Sequence, residues 1–205
     1  MAATEILLLR HGQSEGNEGG RFGGHGPTRL TALGRAQAEA TARALAGAGL
    51  TAIYTSDLVR ALETAEPVVR ATGIVAKRTA GLRERSVGVF TGLSFSEAEE
   101  RYPEAFAALM RRDGTACPPE GETHADCLAR AVPVIDEIVE RFPHGRTLVV
   151  SHALTIYLVL MHITGADASR VFIRTDNCAI HRLKRNDAGL WTIHGLNDIS
   201  HLAGV

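Results

Sequence analysis

Cysteine is scarce and unpatterned in this 205-residue chain: Cys117, Cys127 and Cys178 form no C-x-x-C and leave an odd thiol. That argues against a disulfide framework and leads us to expect a reduced, cytoplasmic protein. The nine histidines contain no H-x-x-x-H or H-E-x-x-H spacing, so no metal site is expected. An excess of one charge is missing too: 22 Lys and Arg stand against 23 Asp and Glu, a formal net charge of -1. Bulk charge therefore gives no support to a nucleic-acid or anionic-membrane surface, and neither partner is expected. The longest apolar stretch, ALTIYLVLMHITG at 153–165, is too short to span a bilayer. The opening MAATEILLLRHG lacks a basic n-region, and its short apolar run reads as a first strand rather than a signal peptide.

Apolar residues are plentiful, at 45%, enough for a sizeable core. Strand-like runs alternate with helical ones, the pattern of an α/β domain with a largely parallel sheet. EILLLR is nearly continuous in apolar residues, as expected of a strand covered on both faces. AIYTS, IVAKRT and RTLVVSH follow as further strands, the last a central one. CAIHRLKRN and LWTIHGL close the chain as two strands joined by a turn at NDAG. Between them lie an Ala-rich helix after Thr31 that stops at Gly47 or Gly49, and a helix capped by Ser56 or Asp57. A helical stretch broken near Pro103 follows, then a long amphipathic helix with Thr123 and Asp126 as a capping box. No repeat, linker or charge block divides the chain. One domain is expected over 1–205, with 83–122 as an excursion that could form a small cap.

The chemistry collects at strand ends. Arg10 and His11 follow the first strand, Arg60 the second, and His152 ends TLVVS and opens a helix. In an open α/β sheet the ligand crevice lies at the carboxyl ends of the strands, so these four side chains should converge there. Arg forks match phosphate oxygens, and a helix N-terminus favours an anion. His11 is the candidate nucleophile, because a neutral imidazole can attack phosphorus and neighbouring cations disfavour its protonation. Gly12 leaves the backbone room beside it. The proton donor for the leaving group is less clear from residues alone. Glu84 lies just past the third strand, but an exposed loop Glu paired with Arg83 or Arg85 reads the same way.

Rival phosphate chemistries find no support. There is no G-x-x-x-x-G-K-[ST], no G-x-G-x-x-G, no Cys followed six positions on by Arg, and no paired Asp after a strand. Ser151 and His152 are no dyad, since adjacent strand residues point to opposite faces. Metal-free transfer through histidine is what is left.

These motifs resemble those of the histidine phosphatase superfamily, also called the phosphoglycerate mutase-like family. LLLRHGQSEGN is similar to its RHG signature with the Asn that follows; YTSDLVRALETA, LRERSVGVFTG and LVVSHALTI are similar to its later blocks. PPEGET and DNCAIHRL resemble two lesser elements. The resemblance implies a three-layer α/β/α sandwich with a mostly parallel central sheet. It implies His11 as the phosphorylated nucleophile, Glu84 as acid and base, and Arg10, Arg60 and His152 as the phosphate pocket, with Asn17 assisting. It implies no cofactor, and a homodimer is typical of the family. Ala153 stands where the family commonly has Gly, and Thr91 where many phosphatase members have Glu.

Some features are similar to true mutases of the family: NEGGRFGG, which makes Arg21 and Gly23 candidate substrate-binding residues, Arg85 directly after Glu84, and the pair Arg111 and Arg112. Extra cations would suit a substrate carboxylate. In mutases, however, a much longer segment separates such an Arg pair from the counterpart of PPEGET. The short segment here implies a small, wet cap. It favours hydrolysis of a small phosphorylated metabolite over phosphoglycerate mutase activity. A phosphate-binding module without catalysis is a third reading.

Overall fold

In the computed structural model, which describes residues 3–111, 116–167 and 170–205, strand β1 (Ala3–Arg10) leads through a one-turn helix α1 (Glu15–Glu18) to α2 (Ala32–Leu45). Then come β2 (Ala52–Ser56), α3 (Val59–Thr72), β3 (Ala76–Thr79), α4 (Phe95–Arg101), α5 (Pro103–Met110) and α6 (His124–Arg141). The chain ends with β4 (Arg146–Ser151), α7 (Ala153–Thr164), β5 (Ile180–Asn186) and β6 (Trp191–Asp198). One six-stranded sheet has the order β3-β2-β4-β1-β5-β6. β1 to β4 run parallel, while β5 pairs antiparallel with β1 and with β6.

The run ILLL buries both faces because side chains alternate along a strand. Ile6 and Leu8 pack with Tyr54 and Val149 against Ala131, Ile135 and Ile138 of α6 and Ile156 and Leu160 of α7. Leu7 and Leu9 point the other way, with Ile53, Leu148 and Val150, onto Ala42 and Leu45 of α2 and Ala61, Ala65 and Val68 of α3. Helices thus cover both faces, and the expected α/β/α sandwich is observed.

Most helix ends follow local chemistry. Thr31 Oγ1 accepts from Gly34 N at 3.0 Å, and Thr123 and Asp126 form the capping box. Pro103 opens α5 and separates it from α4. Two ends differ from expectation. α2 gives way at Ala46, and Gly49, with φ of 66°, turns the chain toward β2. α3 has neither Ser56 nor Asp57 as its cap; its N-cap is Leu58, with no side-chain bond. Both polar residues are engaged elsewhere. The Ser56 hydroxyl meets His152, and the Asp57 carboxylate accepts a two-pronged bond from Arg83 at 2.6 and 2.7 Å.

The excursion between β3 and α6 carries short 3-10 turns at Ala80–Leu82 and Gly88–Phe90, then α4 and α5. It has its own apolar cluster, with Phe90 and Ala98 buried against Phe22, Leu93, Tyr102 and Phe106. The Phe22 ring lies 5.4 Å from Phe90 and 4.6 Å from Phe95, so the loop after α1 is fastened to it. Gly88 is required where it stands: its φ is 50°, and a Cβ there would lie 1.9 Å from the Pro119 carbonyl.

Candidate active site

β1 and β4 are neighbours and end in register, Arg10 opposite Ser151, so His11 and His152 emerge side by side. Their rings are 5.1 Å apart and both are buried. The Gly12 carbonyl lies 2.7 Å from His11 Nδ1 and can accept its proton. That leaves the lone pair on Nε2, which accepts from Arg60 Nε at 3.3 Å. Burial first, then the cations Arg60 and Arg10, hold His11 well below its ordinary 6.5. The imidazole is therefore neutral and nucleophilic near neutral pH. Loss of water, rather than the neighbouring cations expected from sequence, is the larger cause.

Arg60 is the second residue of α3, which sets it close to the end of β2. It is buried, and its fork is fixed by the loop after α1: Nη2 donates to Gly24 O at 2.8 Å and Nη1 to Gly26 O at 3.1 Å. Gly23 adjoins it, since a Cβ there would lie 3.8 Å from Arg60 Nη2. Thr64, one turn on, accepts from Gly12 N at 3.0 Å and donates to Arg60 O at 2.7 Å, tying the His11 turn to α3. Arg10 donates to Thr175 O at 2.6 Å, and its buried Nε has no protein partner. His152 bonds Ser56 Oγ through Nε2 at 2.9 Å, and its buried Nδ1 is likewise unpartnered. Burial and Arg60 also hold His152 well below 6.5. Two buried nitrogens without protein partners, beside a neutral imidazole and two guanidiniums, form a donor set suited to an oxyanion.

Glu84 is not in an ion pair with Arg83 or Arg85. Its Oε1 accepts from Thr155 N and Oγ1, both at 3.2 Å, and from Arg85 N at 2.9 Å; Oε2 accepts from Leu154 N at 3.3 Å. The N-terminus of α7, read from sequence as a phosphate site, holds this carboxylate instead. His152 is its N-cap, and Ala153 fits as the first helical residue. Ser151 is no partner of His152; its hydroxyl donates to Leu82 O at 2.8 Å.

Asn17 Oδ1 accepts from Ser14 N and Oγ as part of the α1 capping box, and from Asn177 Nδ2 at 3.2 Å. Asn177, which sequence reasoning missed, also donates to His11 O at 3.0 Å. The mutase-like cations are differently employed. Arg21 is committed to Glu97 Oε2 and Gly92 O, both at 2.8 Å, and so fastens the loop to α4 and the turn before it. Arg85 is buried, donates to Ala116 O at 3.2 Å, and keeps an unpartnered Nε. Arg111 ends α5, and Arg112 lies outside the described residues. Among the described residues no group of three His, Cys, Asp or Glu is placed to hold a metal. Burial pushes the Cys127 thiol up to about 11 and the Cys178 thiol up to about 12, so neither is a nucleophile at neutral pH.

The chain matches the histidine phosphatase superfamily (branch 1) across residues 6–199. It belongs to the histidine phosphatase superfamily. The metal-independent phosphoserine phosphatase of Arabidopsis thaliana is 30% identical to it over 98% of this chain and 84% of its own length. A 2,3-bisphosphoglycerate-dependent phosphoglycerate mutase of Methylocella silvestris is 36% identical, over 87% and 92% of the two chains. The solved structure of mycobacterial glucosyl-3-phosphoglycerate phosphatase with VO3 superposes with a TM-score of 0.85, at 28% identity over 94% and 98%. Other curated relatives are longer, and this chain spans 43% to 64% of their lengths. Among the described residues no helix is long and apolar enough to cross a membrane.

Proposed function

We propose that this histidine phosphatase family member is a metal-independent phosphatase that hydrolyses small phosphomonoesters through a phosphohistidine at His11. The observation that carries the reading is the His11 imidazole, kept neutral by burial and turned by the Gly12 carbonyl so that Nε2 faces Arg60. Nε2 attacks phosphorus, the ester P–O bond breaks, and the departing oxygen takes a proton from Glu84. Water then attacks the phosphohistidine, Glu84 takes the proton from that water, and the N–P bond breaks to release inorganic phosphate. Oε1 of Glu84 already accepts three hydrogen bonds and Oε2 one, so Oε2 is the oxygen that carries the proton. Arg10, Arg60 and the free nitrogen of His152 take the phosphoryl oxygens, and the Asn17 amide assists.

A second reading, phosphoglycerate mutase, draws on the mutase relative and on the buried, partly unpartnered Arg85. Arg21, another of the mutase-like cations, is spent on Glu97, and this favours hydrolysis. Three free cysteines, two of them buried, support a cytoplasmic setting. A panel of metabolite phosphates, phosphoserine and phosphorylated sugars and glycerates among them, assayed in EDTA, tests the reading. Phosphate release from at least one ester at full rate is expected. Loss of activity on chelation, restored by a divalent ion, would sink the metal-free mechanism. Exchange between 3- and 2-phosphoglycerate that depends on added 2,3-bisphosphoglycerate, without net hydrolysis, would replace it with the mutase.

A further inference from the structure

Arg130 lies on α6, behind the loop that carries Glu84. Its guanidinium collects the carbonyls of that loop. Nη1 donates to Gly81 O at 3.0 Å and Arg83 O at 2.7 Å, and Nη2 donates to Glu84 O at 2.9 Å. Nε and Nη2 also form a two-pronged pair with Glu122 at 2.9 and 2.8 Å. All five N–H groups are thus engaged, and the planar fork fixes the loop in two directions. Glu122 adds a second hold, since its Oε2 accepts from Ser86 N at 2.8 Å. On the far side His25 Nε2 lies 2.7 Å from the same Glu84 carbonyl. The loop is also seated closely on α6, because a Cβ on Gly81 would lie 2.6 Å from Val134 Cγ2 and 2.8 Å from Arg130 O.

We infer that the Arg130–Glu122 pair is a positioning device for Glu84, setting the carboxyl at the distance from the departing oxygen that proton transfer requires. Neither side chain hydrogen-bonds His11, Arg10, Arg60 or His152. The pair acts through the peptide units of residues 81–86, and the carboxylate of Glu84 is then latched by Thr155 at the start of α7. Arg130 could instead serve only stability, as the buckle of a loop. The two differ in which reactions suffer. A misplaced acid slows esters with poor leaving groups far more than esters with good ones. A partly unfolded enzyme slows both alike.

The inference rests on Glu84 being the acid, and the experiment keeps the two apart. Glu84→Gln, Arg130→Met, Glu122→Gln and the double variant Glu84→Gln with Arg130→Met are assayed on an alkyl phosphate and on p-nitrophenyl phosphate, with active sites counted from the aryl-ester burst. Glu122→Gln keeps the side-chain volume and stands in for Arg130→Met if that variant does not fold. We expect Glu84→Gln to lower kcat/KM, which reports the first phosphoryl transfer and not the shared hydrolysis of the phosphohistidine, by about 10²–10⁴-fold more on the alkyl ester than on the aryl ester. Arg130→Met should give the same preference at about 10–100-fold, with KM for the aryl ester little changed, and Glu122→Gln the same preference in smaller measure. In the Glu84→Gln background Arg130→Met should add no further preference, because residues that act as one unit are non-additive. Equal losses on both esters in Arg130→Met and Glu122→Gln, or an additive preference in the double variant, would overturn the positioning role while leaving Glu84 as the acid. No preference in Glu84→Gln itself would remove the acid and the positioning role together.

Discussion

The site turns on which nitrogen of each histidine is free. At His11 the Gly12 carbonyl takes Nδ1, so Nε2 carries the lone pair; at His152 the Ser56 hydroxyl engages Nε2, so Nδ1 is the one left over. Both rings are buried beside guanidiniums, and in each case burial is the larger cause of the depressed pKa. A histidine held neutral in this way has no acid limb at its ordinary 6.5. The His11 ring should keep the chemical shifts of a neutral imidazole from pH 8 down to pH 6 in an NMR titration of the resting enzyme. Protonation with a midpoint at 6.5 or above would mean that the pocket is wetter or less cationic than its geometry states. His11, Arg10, Arg60 and His152 were legible because each ends or follows a strand, and strand ends are readable from apolar runs; Glu84, set beyond β3 and a 3-10 turn, stayed open on the residues alone and was singled out by the family resemblance. Thr64, Ser56, Thr155 and Asn177 were not, because a Thr or Ser beside a helix start looks like an ordinary cap until its partner across the fold is known.

At the scale of elements, the site needs β1's exit and α2's entry to touch. A Cβ on Gly12 would lie 2.5 Å from Gly34 O, and one on Gly34 would lie 2.0 Å from Gln13 O. Such contacts are with backbone and cannot be relieved by a side-chain turn. Gly12→Ala should therefore cost about 1–3 kcal/mol or more of stability and weaken inhibition by inorganic phosphate, read by denaturant midpoint and inhibition constant. Unchanged values of both would show that the two elements are not locked together. The same scale explains what the sequence hid. Thr31, the Thr123–Asp126 box and the break at Pro103 are decided within four residues, and each was legible. Arg21 with Glu97, Glu84 with Thr155 and Arg130 with Glu84 join positions 46 to 76 residues apart, and nothing local in the chain marks them. The cap on α3 was misread for the same reason: its nearest polar residues, Ser56 and Asp57, had distant partners.

For the whole molecule, buried histidines set the acid limit. His11, His152 and His181, whose pKa is pushed down to about 4, are all neutral in the folded protein. Above 6.5 the folded and unfolded chains hold the same number of protons on these groups. As pH falls through 6.5 the unfolded chain binds protons that the folded chain does not, so stability declines. Each group contributes at most about 1.4 kcal/mol per pH unit, and the three together about 4. The carboxylates of Asp57 and Glu122, held low by Arg83 and Arg130, extend the loss below their ordinary values of 3.8 and 4.5. Urea unfolding in phosphate-free buffer should show a midpoint that drops steadily from pH 7 to pH 5. A midpoint that holds or rises over that range would contradict the burial of these rings.

The proposed mechanism requires one covalent bond, between phosphorus and Nε2 of His11. Rapid quenching of the enzyme with a labelled phosphomonoester, followed by peptide mapping under alkaline conditions that preserve phosphohistidine, looks for that bond directly. The expected result is acid-labile label on the peptide that carries His11, formed as fast as turnover and absent from His11→Ala. Label on His152 instead, or turnover with no labelled histidine at all, would contradict it.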